Sequence, residues 1–241
     1  MKRVLILLGL SMVSTGVLAD TDSKWYASIT GGSTWSLDNV NVYRSARSLG
    51  QQISLKPDHG YVSGISLGYK MSNAWRLEGE ITHSRNEIEQ GSRTYPDLEY
   101  PPYGGNVLVG TIGHISSLTI MGNIWYDLQV SKKVNVYFGG GIGSSHYRFD
   151  DIALLVYPTP YVQVLEKKPV FDDTEWSFTS QLGTGVEYKI CDKLMLGIGA
   201  RYLITPEISV KVDDMDYDGE QQRYTFDFSH MNILLGLRFF F

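Results

Sequence analysis

The last eighteen residues, Tyr224 to Phe241 (Y-T-F-D-F-S-H-M-N-I-L-L-G-L-R-F-F-F), constrain the fold more than any other stretch. Counting back from the end, Phe241, Phe239, Leu237, Leu235, Ile233 and Met231 fall on one face of a strand. Arg238, Gly236, Asn232 and His230 fall on the other, and alternation with period two is the mark of a half-buried strand. In water, three terminal phenylalanines would leave a sticky apolar edge with no turn to cover it. A strand with lipid on one face and a polar lumen on the other removes that conflict.

The N-terminus reads as an export signal. Lys2 and Arg3 precede the apolar run from Val4 to Leu10, and Val17-Leu18-Ala19 before Asp20 is a small-residue cleavage site. Ser11, Ser14 and Thr15 interrupt the run too early for a retained span. Removing residues 1–19 of the 241 leaves 222 and, with Lys2 and Arg3 gone, takes the formal charge from −5 to −7. Residues 20–241 are expected to form one domain. A single cysteine, Cys191, excludes an internal disulfide.

Seven further stretches alternate in the same way. The first, about Trp25 to Trp35, sets Trp25, Ala27, Ile29 and Trp35 against Tyr26, Ser28, Thr30 and Thr34. The second, about Tyr61 to Lys70, sets Tyr61, Ile65, Leu67 and Tyr69 against Gly64, Ser66, Gly68 and Lys70. The third sets Trp75, Leu77, Gly79 and Ile81 against Arg76, Glu78, Glu80 and Thr82. The fourth, about Ile115 to Leu128, has Asn123 and Asp127 on its polar face, with Met121 and Trp125 as apolar intruders. Tyr137, Gly139, Gly141 and Gly143 line the fifth, Gln181, Glu187 and Lys189 the sixth, and Gly197, Gly199 and Arg201 the seventh.

The connections alternate short and long. Those at Ser72, Ser131 and Asp192 are a few residues, whereas 36–60, 85–114, 148–175 and 205–223 are each roughly twenty to thirty and are expected as loops. Long loops on one end and tight turns on the other predict an all-β fold, a transmembrane eight-stranded antiparallel up-and-down β-barrel, with both termini on the turn side. Ile152 to Tyr157 and Tyr161 to Leu165 could add two strands and make ten. Each arm is short of the roughly nine to eleven residues a tilted strand needs to cross lipid, so a hairpin above the membrane is expected instead.

The closing motif Gly236, Phe239, Phe241 resembles the final strand of bacterial outer-membrane barrels, a pattern that the resemblance implies is read by the barrel-assembly machinery. K-W-Y-A-S-I-T-G-G from Lys24, Y-F-G-G-G-I-G from Tyr137, Q-L-G-T-G-V-E-Y from Gln181 and the final L-G-L-R-F-F-F are similar to the OmpA-like, opacity-type surface-antigen family. The resemblance implies a bacterial outer-membrane location, surface exposure and adhesion. No peptidoglycan-binding domain follows the barrel, so cell-wall anchoring is not implied.

A narrow lumen carrying Lys70, Arg76, Lys189, Arg201 and Arg238 against Glu78, Glu80, Asp127 and Glu187 must pair its charges. It is expected to be a polar network filling the barrel, with a small gated pore as the alternative. The inward glycines either make room for Tyr137, Arg201 and Arg238 or leave a water path. Trp25, Trp35, Tyr69, Trp75, Tyr126, Trp176, Tyr188 and Tyr202 are candidates for interfacial aromatic girdles. Asp214, Asp216 and Asp218 match half of a calcium loop, but Thr225 stands where a bidentate glutamate belongs and no helices flank the loop. No metal or other cofactor is expected.

Serine and histidine meet in sequence at His83/Ser84, at Ser144/Ser145/His146 with Asp150, and at Ser229/His230. Nucleophilic catalysis needs such groups in mutual reach, and no acyltransferase or deacylase motif accompanies them. The leading expectation is a non-enzymatic surface protein that supports the membrane and presents its loops to a host or matrix ligand. A lipid A- or phospholipid-modifying barrel enzyme is the third reading. Expected partners are outer-membrane lipid, lipopolysaccharide and the assembly machinery; no basic patch of the nucleic-acid kind is present. An eight-stranded barrel closes on itself, so a monomer is the expected state.

Overall fold

The computed structural model describes residues 24–36, 40–44, 52–95, 105–156, 166–215 and 221–241. Every regular element among them is a strand: β1 Trp25–Ser36, β2 Val40–Arg44, β3 Gln52–Lys70, β4 Trp75–Tyr95, β5 Gly105–Gln129, β6 Val134–Val156, β7 Glu166–Cys191, β8 Leu194–Met215 and β9 Gln221–Phe240. All ladders are antiparallel; β3 to β9 pair in sequence order, and β1 closes the sheet by pairing both β3 and β9, with Ile29 opposite Ile65 on one side and Leu237 on the other. Closure leaves no sheet edge to satisfy in lipid. The short β2 continues the course of β1, sitting between Gln52–Leu55 of β3 and Tyr224–Thr225 of β9. Eight strands therefore form the wall, and Ile152 to Val156 lengthen β6 rather than adding a ninth and tenth.

The three tight turns are built locally. Ser72 Oγ accepts from the backbone N–H groups of Ala74 and Trp75 at 3.2 and 3.1 Å, and Ser131 Oγ accepts from Lys133 and Val134 at 3.3 and 3.1 Å. Asp192 and Lys193 alone separate β7 from β8. A serine hydroxyl that satisfies orphan N–H groups makes a tight reversal stable without glycine.

The other end differs from the loops expected there. Strands of 19–26 residues in β3 to β9 are about twice the length that a tilted crossing needs. They run far into segments 36–60, 85–114, 148–175 and 205–223: β4 reaches Tyr95, β6 pairs Val156 with Glu166, and β8 pairs Met215 with Gln221. Those segments are thus corrected from loops to hairpin arms over much of their length. Outward residues cease to be apolar where these arms leave the lipid, so their pattern predicts loops, but the hydrogen-bond ladder continues in water as well as in lipid. The arm expected at Tyr161 to Leu165 lies outside the described residues.

Inside and outside alternate throughout. Ile65, Ile81, Ile120, Ile142, Leu182, Ile198 and Leu235 point outward and are exposed, while Glu78, Glu80, Asn123, Gln181 and Arg201, on β4, β5, β7 and β8, point inward and are buried. Aromatic residues bracket the apolar band. At the turn end Trp25 packs on Tyr69 and Trp75 on Tyr126, each pair at 5.0 Å, with Tyr188 nearby in register. At the hairpin end stand Trp35, Tyr202 and Trp176.

Candidate functional site

The lumen next to the turn end is filled by charge. Glu78 is its hub: Tyr26 Oη donates to Oε2 at 3.0 Å and Trp125 Nε1 donates to Oε1 at 3.1 Å, while the Arg201 and Arg238 guanidiniums lie 3.9 Å away on either side. Arg238 Nη1 donates to Glu187 Oε2 at 2.6 Å, and Arg201 pairs directly with Glu80. Glu80 also accepts from Asn123 Nδ2 at 3.0 Å, and Gln181 Nε2 donates to Asn123 Oδ1 at 2.5 Å. Asp127 accepts from Asn135 Nδ2 at 3.0 Å.

Arg76 is held differently. It is fully buried and lies 3.1 Å from Asp127 and 3.7 Å from Glu187, but none of its N–H groups is aligned for a hydrogen bond. Its guanidinium sits among the rings of Tyr137 (4.7 Å), Tyr26 (5.8 Å) and Trp125 (5.9 Å). Arg238 lies over Tyr26 at 4.5 Å and Arg201 over Trp125 at 5.3 Å. Ring faces attract desolvated cations, so three arginines are buried between four carboxylates and three aromatic rings.

The inward glycines make the room for those rings. A side chain at Gly68 would strike Tyr26, one at Gly185 or Gly199 would strike Tyr137, and one at Gly183 would crowd Trp125 and Arg201. The space they leave is filled. The lumen void beside Ser28, Glu78 and Arg201 is about 30 Å³, room for a water or two.

Beyond this network comes a layer of hydroxyls. Thr119, Ser145, Thr179, Thr205 and Tyr147 form a hydrogen-bonded chain across four strands at 2.7 to 3.1 Å, and Ser84 bonds Ser117 at 2.8 Å. Beyond that again, Val62, Ile88, Ile115, Phe149, Ile208 and Phe228 fill the barrel, each at most 3% exposed.

Lys189 does not join the network and is corrected to a rim residue. It stands at the mouth, 41% exposed, with Nζ 2.7 Å from Asp192 in the turn. Lys70 lies over the Phe240 ring at 4.6 Å in the same mouth, a vestibule of about 430 Å³ that ends on Asp127, Glu187 and Arg238. The serine–histidine neighbours do not assemble, because adjacent residues of a strand point to opposite faces. Ser84 turns inward to Ser117 while His83 lies outward against Tyr61; Ser145 turns inward while His146 packs on Trp176 at 4.8 Å. His230 is buried against Phe228, and no partner is found for its Nδ1. Among the described residues no cluster of three metal-ligating side chains occurs. Asp216 and Asp218 lie outside the described residues, and Asp214 falls at the end of β8.

Tyr26, Asn123, Asn135, Tyr137 and Gln181 were not among the residues expected to form the network, yet they carry much of it. The signal was available in the pairing of Tyr26 and Tyr137 with cross-strand glycines, a large ring opposite no side chain. The apolar layer is not expected from the sequence because Ile88, Phe149 and Ile208 lie in segments predicted as loops, while Val62, Ile115 and Phe228 stand at the outer ends of predicted strands, where the inward face is otherwise polar.

Comparison with known proteins supports the same architecture. A relative from Brucella suis biovar 1, described only as an uncharacterized protein, is 29% identical over 156 residues, covering 62% of this chain and 52% of the relative. The matched stretch thus spans about half the length of that relative. OprG of Pseudomonas aeruginosa has a TM-score of 0.54 at 13% identity over 92% of this chain and all of that one. AlkL, solved in DMPC bilayers, has a TM-score of 0.52 at 14% identity over 92% of each chain. At such identities the likeness is one of fold. The model of the outer membrane protein beta-barrel domain matches residues 5–239. A closed barrel with an apolar outer band, aromatic borders and a charged lumen is a membrane protein of the bacterial outer envelope, and the chain belongs to the outer membrane protein β-barrel family.

Proposed function

We propose that this barrel is a non-enzymatic surface protein, with its hairpin end outward, that stiffens the membrane and presents its extended arms to a host or matrix ligand. The observation that carries the reading is the closure of the lumen: an ionic network, a hydroxyl layer and an apolar layer stand in series across it. A wall this well filled works as a support for what projects from it. β9, with Gly236 and Phe239 and with Phe241 directly after it, would be the strand recognised during assembly, and Phe239 and Phe241 are exposed.

A Gram-negative host without adhesins, expressing the full chain, should gain adherence to matrix- or cell-coated surfaces. Replacing the ends of the arms, 89–111, 151–172 and 209–226, by short turns should abolish that gain while the barrel still folds. Equal adherence with and without the arms would sink the reading.

The vestibule that reaches Glu187 and Arg238 favours one competitor, a small pore opened by rearranging the ion pairs. Planar bilayers holding the purified protein should show no steady conductance. A conductance that changes in Glu80→Gln or Arg238→Ala would establish the pore instead.

A further inference from the structure

The turn-end mouth of the lumen gathers positive charge that the sealed network beneath it does not use. Five of the chain's eleven lysines line the vestibule of about 430 Å³: Lys70 and Lys189 from the lumen faces of β3 and β7, Lys132 and Lys133 from the turn between β5 and β6, and Lys193 from the turn between β7 and β8. With Arg238 at the floor, six cations stand against three carboxylates, Asp127, Glu187 and Asp192, in a chain whose formal charge is −5. All three carboxylates are already engaged: Asp127 lies 3.1 Å from Arg76, Glu187 accepts from Arg238 at 2.6 Å, and Asp192 is 2.7 Å from Lys189. Lys70, Lys132, Lys133 and Lys193 have no ion-pair partner among the described residues; Lys70 rests on the Phe240 ring and Lys133 stands 6.0 Å from that of Tyr188. Like charges around one opening repel, and an anion placed between them converts that repulsion into attraction.

The backbone under these lysines is fixed to the wall. The Lys133 carbonyl accepts from the Lys189 N–H at 2.8 Å, and the Lys193 carbonyl accepts from the Phe240 N–H at 2.9 Å. The vestibule is within the range of small-molecule sites, about 300 to 1,000 Å³. It also ends blind, since Arg76 behind its floor is fully buried and the void beyond is about 30 Å³. A conducting path needs an exit, whereas a blind pocket can only hold what enters it. Lysine ammoniums are compact point charges with three donors each, which suits multiply charged phosphoryl oxygens. A planar carboxylate is better matched by a guanidinium fork. Arg238, the guanidinium at this floor, already donates to Glu187 and Ser28.

We propose that the vestibule binds a small soluble anion carrying two or more phosphoryl groups, held between Lys70, Lys132, Lys133 and Lys193. With the hairpin end outward, the pocket opens to the periplasm and draws its ligand from there. Lys70 and Lys189 lie on the lumen faces of their strands, turned away from the bilayer, so the occupant is a solute and not a lipid headgroup. The site stands whether or not the arms at the other end adhere to anything.

The test uses the full chain refolded in a neutral maltoside detergent at low salt, with inorganic pyrophosphate as the probe and isothermal titration calorimetry as the readout. One pyrophosphate should bind per barrel, and more tightly than malonate, a dicarboxylate of similar size. The K70Q/K132Q/K193Q variant should weaken binding about tenfold, since each exposed charge contact contributes roughly two- to fivefold. Asp192→Asn removes a negative charge from the rim and releases Lys189, so it should tighten binding. Arg85→Gln with Arg148→Gln, at the hairpin end, should leave it unchanged. The proposal fails if pyrophosphate shows no saturable binding, if malonate binds equally well, or if the triple variant binds like the wild type. Displacement of the probe by phosphatidylglycerol in mixed micelles would make the occupant a lipid headgroup and also overturn it. Should the triple variant not fold, the Asp192→Asn result decides alone, and no tightening overturns the proposal.

Discussion

The two ends of the lumen solve opposite problems with the same eight strands. Near the turn end the wall faces lipid, so the outer residues are Ile65, Leu77, Ile124, Leu182 and Leu196 and the interior holds Arg76, Glu78, Glu80, Glu187, Arg201 and Arg238. Near the hairpin end the outer residues include Arg85, Glu87, His114 and Arg148, and the interior holds Val62, Ile88, Ile115, Phe149, Ile208 and Phe228. Hydropathy changes sides along each strand while side-chain alternation carries on unchanged. The part outside the apolar band is built like a soluble domain, packed within and wetted without. The part inside the band is inverted, and its buried charges are tolerable because each carboxylate and guanidinium has an opposite charge or a ring beside it.

If that contrast is right, breaking an ion pair should cost most. Arg201→Leu leaves Glu80 without its direct partner and Glu78 with one fewer neighbouring cation. Removing one member of a buried pair typically costs about 4 kcal/mol. Equilibrium urea unfolding in lipid vesicles should show a loss of that order, and Arg201→Leu with Glu80→Leu together should recover more than half of it. A single variant no worse than a surface charge change would mean that water already fills the lower lumen.

The apolar layer should give a smaller and more local effect. Phe228 is 3% exposed and packs on Tyr147 at 5.6 Å and His230 at 5.2 Å. Phe228→Ala should cost about 3 kcal/mol, expressed as faster amide hydrogen exchange in the outer parts of β6, β8 and β9. Amides of β4 and β7 beside Glu78 and Glu187 should exchange as before. Loss of protection in both regions together would show one cooperative core where the comparison has two.

What the sequence disclosed follows the same division. Within the apolar band a two-residue period with lipid-facing apolar residues is a strong signal, and the facing of Arg76, Glu78, Glu80, Asp127, Glu187, Arg201 and Arg238 could be read from it directly. Outside the band, outward residues such as Arg85 and Arg148 resemble those of a loop, and only the inward set Asn86, Ile88, Ile115 and Phe149 betrays the strand. Partnership was less legible than facing. Glu78 meets Tyr26 and Trp125 from strands 52 and 47 residues away in sequence, a pairing fixed by barrel closure that no local pattern encodes. Lys189 shows the converse limit, since alternation puts it on the lumen face but says nothing of how close to the mouth that face ends.

Lys189 also supplies the smallest expected effect, and the sharpest control on the comparison. Its partner Asp192 is 87% exposed in the turn, and the Lys189 hydrogen bond and charge hold the Asp192 carboxyl below the usual carboxylate range. A depressed carboxylate contributes stability that is present above its unfolded value and is lost as pH falls through the folded one. Here water and salt screen the pair, and exposed ion pairs contribute little. Lys189→Gln should therefore leave the urea midpoint at pH 7 unchanged while the Asp192 carboxyl resonance titrates at a higher pH than in the wild type. The same charge types as Arg201 and Glu80, a few residues nearer the mouth, would then show a shifted titration with no stability cost. A fall in the midpoint comparable to that of Arg201→Leu would mean the network extends through the vestibule to the rim, and the boundary of the sealed region would move with it.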